Sequence, residues 1–280
     1  MKGNTVSYFQ ALILGAIQGL TEFLPVSSSG HLVLGQALFG VTTDAITFDI
    51  FVHFGTLMAV LIVFHRQITQ LGAGVLRDIR AVSRGSLTPL QTVRQSQESR
   101  FAVAVIIGTI PAVLVGFFLK DTIEGLFASV VSVLGALIFT GSLLLATFFV
   151  RYNTKSITPH NGLLVGMAQA LAIIPGISRS GSTIATGLFA GIDREQAGVF
   201  SFLLAIPAII GATLLEFIDL VTEGGFGHVS WGPVLAGTAV AFISGWWSLI
   251  ILMRVVRRGR IGWFGFYCLA VAGIGLALHL

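Results

Sequence analysis

Six apolar runs, each about the roughly 20 residues that a helix needs to cross bilayer hydrocarbon, recur along this sequence. They lie at 48–65, 101–119, 129–150, 197–217, 233–253 and 261–279. A chain patterned this way cannot cover itself with water-facing side chains. Only 10 % of its residues are charged, against 55 % hydrophobic, and its mean hydropathy is +0.93. Soluble domains carry roughly 25 % charge, so lipid must cover much of this surface. The sequence predicts an all-α polytopic membrane protein forming a single membrane domain over residues 1–280.

Two further apolar stretches, 8–38 and 162–191, differ from the six in being interrupted by proline, glycine and clustered serines. A helix broken at membrane depth leaves backbone groups unpaired, which is tolerated only inside protein or around a wet cavity. Both stretches are therefore expected to form re-entrant helix–loop–helix hairpins. The first runs straight from the N-terminal region into its break, and it is expected to be retained rather than cleaved as a signal.

Charge in the loops gives an orientation. The segment 66–100 holds Arg66, Arg77, Arg80, Arg84, Arg94 and Arg100 against Asp78 and Glu98. Positive-inside bias makes it cytoplasmic, and its length allows cytoplasmic extensions of the flanking helices. The loop with Arg151 and Lys155, and the cluster Arg254, Arg257, Arg258 and Arg260, fall on the same side. Segments 120–128 and 218–232 fall outside. The net charge of +4 is spread over short loops and forms no contiguous basic face for nucleic acid. One cysteine, Cys268, excludes an intramolecular disulfide and any cysteine metal cluster.

The interrupted stretches resemble each other at a constant offset of 151 residues. Gly15, Gln18 and Leu20 align with Gly166, Gln169 and Leu171, and Ser27, Ser29 and Gly30 align with Ser178, Ser180 and Gly181. Each stretch precedes three spans, so the halves 1–150 and 151–280 are expected to be inverted repeats. Such repeats usually place a binding site where the breaks meet near the midplane, which predicts that 27–31 and 178–183 face one another.

Chemistry concentrates at those breaks. Gln18 and Glu22 are four apart, on one helix face. Pro25 stops that helix, and Ser27 or Ser28 can cap the next, leaving backbone N–H groups in the break as an anion site. The second break carries Ser178, Arg179, Ser180, Ser182 and Thr183. An unpaired arginine at the bilayer centre costs at least about 2.5 kcal/mol, and its planar fork suits two phosphate oxygens. Glu22 aligns with Ile173 and His31 with Ser182, so acid–base groups sit in the first half and the positive charge in the second. Glu22 and Arg179 could also pair only as a structural salt bridge. His53 could stand behind the site or be a satisfied core histidine, and the core reading is favoured.

The motif from Gln18 and Glu22 through Pro25, Ser27, Ser28, Gly30 and His31, with that from Pro175 to Thr183, resembles the bacterial undecaprenyl-diphosphate phosphatases of the bacitracin-resistance type over essentially the whole chain. The resemblance implies hydrolysis of a C55 isoprenyl diphosphate to the monophosphate, which recycles the peptidoglycan carrier lipid and confers bacitracin resistance. It also implies location in the bacterial inner membrane, with the site opening to the periplasmic side, and a divalent cation, magnesium or calcium. Carried onto this sequence, it makes Ser28 the nucleophile, Glu22 a metal ligand or base, and His31 the acid–base partner. Arg179 would hold phosphate, with Ser27, Gly30, Ser178, Ser180 and Thr183 as further substrate-binding residues. Gln18 stands where many relatives have glutamate, and a neutral amide is a weaker ligand for a hard cation. His31 as the attacking group stays open, as does a homodimer. A transporter or flippase of a lipid phosphate is the alternative function, since broken inverted repeats also serve transport.

Overall fold

In the computed structural model the described residues are 6–39, 45–119, 122, 125, 129–151, 154–222 and 230–278. Among them the chain is helical, with no strand beyond one isolated bridge between Lys155 and Ile192. The helices, in order, are α1 (Tyr8–Phe23), α2 (Ser28–Phe39), α3 (Ala45–Val63), α4 (His65–Ser83), α5 (Pro89–Gln95), α6 (Gln97–Phe118) and α7 (Val130–Ala146). Then follow α8 (Pro159–Leu171), α9 (Arg179–Phe189), α10 (Arg194–Thr222), α11 (Trp231–Arg257) and α12 (Trp263–Ala277).

Among the described residues four helical segments are long and apolar enough to cross a membrane: α6, α7 with its trailing turn to Phe149, α10 and α11. A fifth counts if α3 and α4, bent by 69° at their junction, form one broken span. The run expected at 261–279 becomes the 15-residue α12, about 22 Å long at 1.5 Å per residue and short of the roughly 30 Å of hydrocarbon. Arg260 lies just before it, and Trp263 opens it. The cytoplasmic-extension expectation at 66–100 meets two separate helices, α4 and α5. Of the expected outer loops, 120–128 lies largely outside the described residues, as does the middle of 218–232, residues 223–229.

Large apolar side chains point outward along the spans, as at Phe117, Ile243 and Ile274, where lipid replaces water as the solvent. The interior is packed by Phe23, Phe64, Phe200 and Phe202, with Phe202 edge-on to Phe23 and stacked on Phe64. Helices approach closely at small residues, the usual membrane solution where no hydrophobic force separates helix from lipid. α1 lies on α11 with Gly15 against Gly237, and α8 lies on α6 with Gly166 against Gly108. A Cβ added at either Gly15 or Gly166 would collide with the facing backbone. These two glycines are the pair related by the 151-residue offset.

Candidate active site

Each break is built by the same local chemistry. Helix α1 ends where Pro25 follows Leu24. Ser27 then takes a left-handed φ of +70°, a conformation uncommon outside glycine. In that pose its Oγ accepts from Gly30 N–H at 3.3 Å and its carbonyl accepts from His31 N–H at 3.2 Å, which starts α2. In the second break Gly176 takes φ +93°. Ser178 Oγ accepts from Gly181 N–H at 3.1 Å and its carbonyl accepts from Ser182 N–H at 2.8 Å, which starts α9. Side-chain pairs repeat too: Ser27 with Ser29 and Ser178 with Ser180, both at 3.3 Å.

The breaks touch. A Cβ at Gly30 would lie 3.5 Å from Gly176 Cα, and one at Gly181 would lie 3.2 Å from Pro25 Cβ. Ser180 Oγ donates across the junction to Leu24 O at 3.4 Å. Thr140 of α7 braces the second break, donating to Gly176 O and accepting from Ser178 N–H, both at 3.0 Å. From α12, Cys268 Sγ reaches Pro25 O at 3.6 Å.

At this junction Glu22 is nearly buried and fully engaged. Its Oε2 accepts from Ser28 Oγ at 2.6 Å and from Gln18 Nε2 at 3.1 Å, and its Oε1 accepts from Arg179 Nη2. Arg179 thereby uses one arm of its fork. Its other nitrogen, Nη1, is buried without a hydrogen-bond partner among the described residues, as are Ser182 Oγ and Gln18 Oε1. A buried guanidinium N–H left without an acceptor is costly. Here it is aimed from the same side chain that grips the carboxylate holding Ser28. A hydroxyl 2.6 Å from a carboxylate is within the range of a nucleophile and its base.

The other expected residues fall less simply. His31 does not join the Glu22 cluster. Its Nδ1 lies 2.8 Å from Ser27 O and its Nε2 lies 2.9 Å from Tyr267 Oη. A carbonyl only accepts, so Nδ1 carries a proton, and in the neutral ring Nε2 then accepts from tyrosine. Thr183 donates to Arg179 O at 2.7 Å and meets Ser201 Oγ at 2.5 Å, facing α10. Ser27 and Ser178 hydroxyls are committed to capping. His53 takes the place behind the site and not the favoured core role: its Nδ1 meets Asp49 O at 2.8 Å, and its Nε2 stands 3.9 Å from Glu22 Oε2. Four-residue spacing between Asp49 and His53 was visible in the sequence, but nothing there points α3 at Glu22. Tyr267 is the residue that sequence reasoning missed, 236 positions from its partner.

Among the described residues no group of three His, Cys, Asp or Glu gathers as a ready metal cage. The donor set suits a different arrangement. A small hard cation usually takes one or two carboxylates and completes its shell with water and substrate phosphate. Glu22, whose carboxylate has about one lone-pair site beyond its three donors, and the unpartnered Gln18 Oε1, one helical turn away, are the oxygens it could use.

A family model described as bacitracin resistance protein BacA matches residues 11–274. The chain is 45 % identical over 275 residues to an undecaprenyl-diphosphatase of Desulfatibacillum aliphaticivorans, covering 97 % of this chain and 99 % of that relative. It is 43 % identical over 276 residues to one of Desulforapulum autotrophicum, covering 96 % and 97 %. It is 36 % identical over 273 residues to one of Bacteroides fragilis, covering 96 % and 97 %.

Proposed function

The chain belongs to the bacitracin resistance protein BacA family, and from that premise we infer that this multi-pass membrane protein is an undecaprenyl-diphosphatase. It releases inorganic phosphate from a C55 isoprenyl diphosphate and returns the monophosphate carrier for peptidoglycan synthesis. The observation that carries the chemical reading is the chain Ser28–Glu22–Arg179, with Arg179 Nη1 left over. A purely structural salt bridge has no use for a serine hydroxyl on the same carboxylate or for an unspent guanidinium nitrogen beside it.

In this reading the terminal phosphate lies between the two breaks, and the lipid tail leaves between helices. Arg179 Nη1 and the backbone N–H groups at the starts of α2 and α9 bind its oxygens, where they also stabilise charge in the transition state. Ser28 Oγ attacks phosphorus while its proton passes to Glu22 Oε2. The bond to the bridging oxygen breaks, and the lipid monophosphate departs. Water then cleaves the phosphoserine, releasing inorganic phosphate and restoring the hydroxyl. A magnesium or calcium ion held by Glu22, with Gln18 Oε1 contributing, would supply neutralisation of diphosphate charge. The two interrupted stretches act as re-entrant hairpins of an inverted repeat in the inner membrane, with the site open to the periplasm. The repeated capping bonds and the matched Gly15 and Gly166 contacts support that reading.

Phosphate release from a long-chain isoprenyl diphosphate by purified protein tests it, with magnesium, calcium or chelator present. Ser28→Ala and Arg179→Ala should each lower turnover by about a hundred-fold or more, the scale of losing a group that acts on the transition state. Chelation should abolish the remainder. A folded wild type that releases no phosphate, yet moves the lipid across sealed vesicles, would make this a transporter.

A further inference from the structure

Helix α4 and the short α5 play no part in the chemistry above, yet α4 is sharply two-sided where it leaves the bundle. It turns 69° from α3 and buries Gly74 and Asp78 toward α6, where Asp78 accepts from Ser99 Oγ at 2.7 Å. The rest of its surface divides in two. At about 100° per residue, Arg66, Arg77, Arg80 and Arg84 fall within roughly 60° of arc. Leu76 and Ile79 occupy the adjacent roughly 100° and are 55 % and 58 % exposed. Leu90, on α5, is 62 % exposed. Arg77 leans on Asp78 and Glu98 at 3.6 Å each. Arg66, Arg80 and Arg84 make no ion pair among the described residues.

An apolar groove of about 420 Å³ opens between α4, α5 and α6, lined by Val75, Ile79, Val82, Val93, Ala102 and Ile106. Ile106 also lines a second apolar groove, of about 320 Å³, that extends along α6 to Pro207. An arginine stripe beside exposed aliphatic side chains, at the end of membrane-crossing helices, is the pattern of a helix lying in the interface. Here the stripe adjoins an open slot for a hydrocarbon chain.

We propose that the α4–α5–α6 face binds anionic phospholipids, their phosphates lying along the row of Arg66, Arg80 and Arg84 and an acyl chain of one of them in the groove. The charge is the deciding feature, because zwitterionic headgroups along the row would leave its three cations uncompensated. Each arginine near an anionic lipid surface changes affinity by roughly five-fold.

Native mass spectrometry of the purified full chain in detergent tests this, titrating phosphatidylglycerol against phosphatidylcholine. Wild type should retain phosphatidylglycerol with at least about ten-fold preference. The triple variant Arg66→Gln, Arg80→Gln, Arg84→Gln should weaken that binding on the order of 100-fold. The corresponding triple lysine variant, which keeps the charge, should retain most of it. Should the glutamine triple fail to fold, Arg80→Gln alone should still cost about five-fold. Equal retention of the two lipids, undiminished phosphatidylglycerol binding in the glutamine variants, or equal loss in the lysine variant would each overturn the proposal. A protein partner on this face would leave lipid binding unselective and so count against it.

Discussion

Tyr267 shows what a single residue adds to the proposed site. Its hydroxyl is the donor that completes the hydrogen bonding of His31, and its ring stacks on the imidazole with centroids 5.6 Å apart. If His31 moves a proton in the reaction, Tyr267 acts through it as a positioning residue. Tyr267→Phe keeps the stacking and deletes one hydrogen bond, worth about 1 kcal/mol. We expect kcat to fall about five-fold with KM nearly unchanged, and the limb of the pH–rate profile governed by His31 to move. An unaltered profile would leave the tyrosine merely structural. Gln18, Glu22, Ser28 and Arg179 were legible in the sequence because polar groups at membrane depth are expensive and therefore conspicuous. Tyr267 was not, and for His53 the sequence left a place behind the site open against a core role: each sits in an unbroken apolar run, and only the packing of distant helices brings it to the site.

At the scale of elements, the α4–α6 junction has its own electrostatics. Hydrogen bonding from Ser96 and Ser99 holds the Asp78 carboxyl below its ordinary value of 3.8, with Arg77 adding to the effect. A carboxyl depressed on folding contributes stability above its unfolded pKa, and loses it as pH falls through the folded one. Asp78→Asn should therefore open the junction at neutral pH, read as faster amide exchange in α4; the difference from wild type should begin to shrink as pH falls past about 3.8 and vanish only below the depressed folded value. A gap that persists in acid would mean shape rather than charge holds the contact. Apolar length in the sequence marked four of the six expected spans, but not the 69° turn after α3 or the shortness of α12. Apolar length marks what can enter lipid, whereas bends and early stops depend on which neighbours the helix meets.

For the whole molecule, the orientation expected from the arginines fixes which compartment each end reaches. With Cys268 replaced, a cysteine at Ser86 should react with an impermeant maleimide only in inverted membranes. One at Ser230 should react in intact cells. The reverse pattern would place the proposed site on the cytoplasmic face. The packing also has a temporal consequence. Helix α1 rests on α11, α8 rests on α6, and the first break is braced from α12. Neither half can close around its own residues. At 5–20 residues per second, α1 waits on the order of tens of seconds for α11 to leave the ribosome. For roughly the first two-thirds of that interval Glu22 has no Arg179, which lies 157 residues downstream, and the emerging protein must shelter a lone carboxylate. Insertion of this chain is thus gated by its last third, and a truncation there should leave the early helices as substrates for quality-control proteolysis rather than as a partial enzyme.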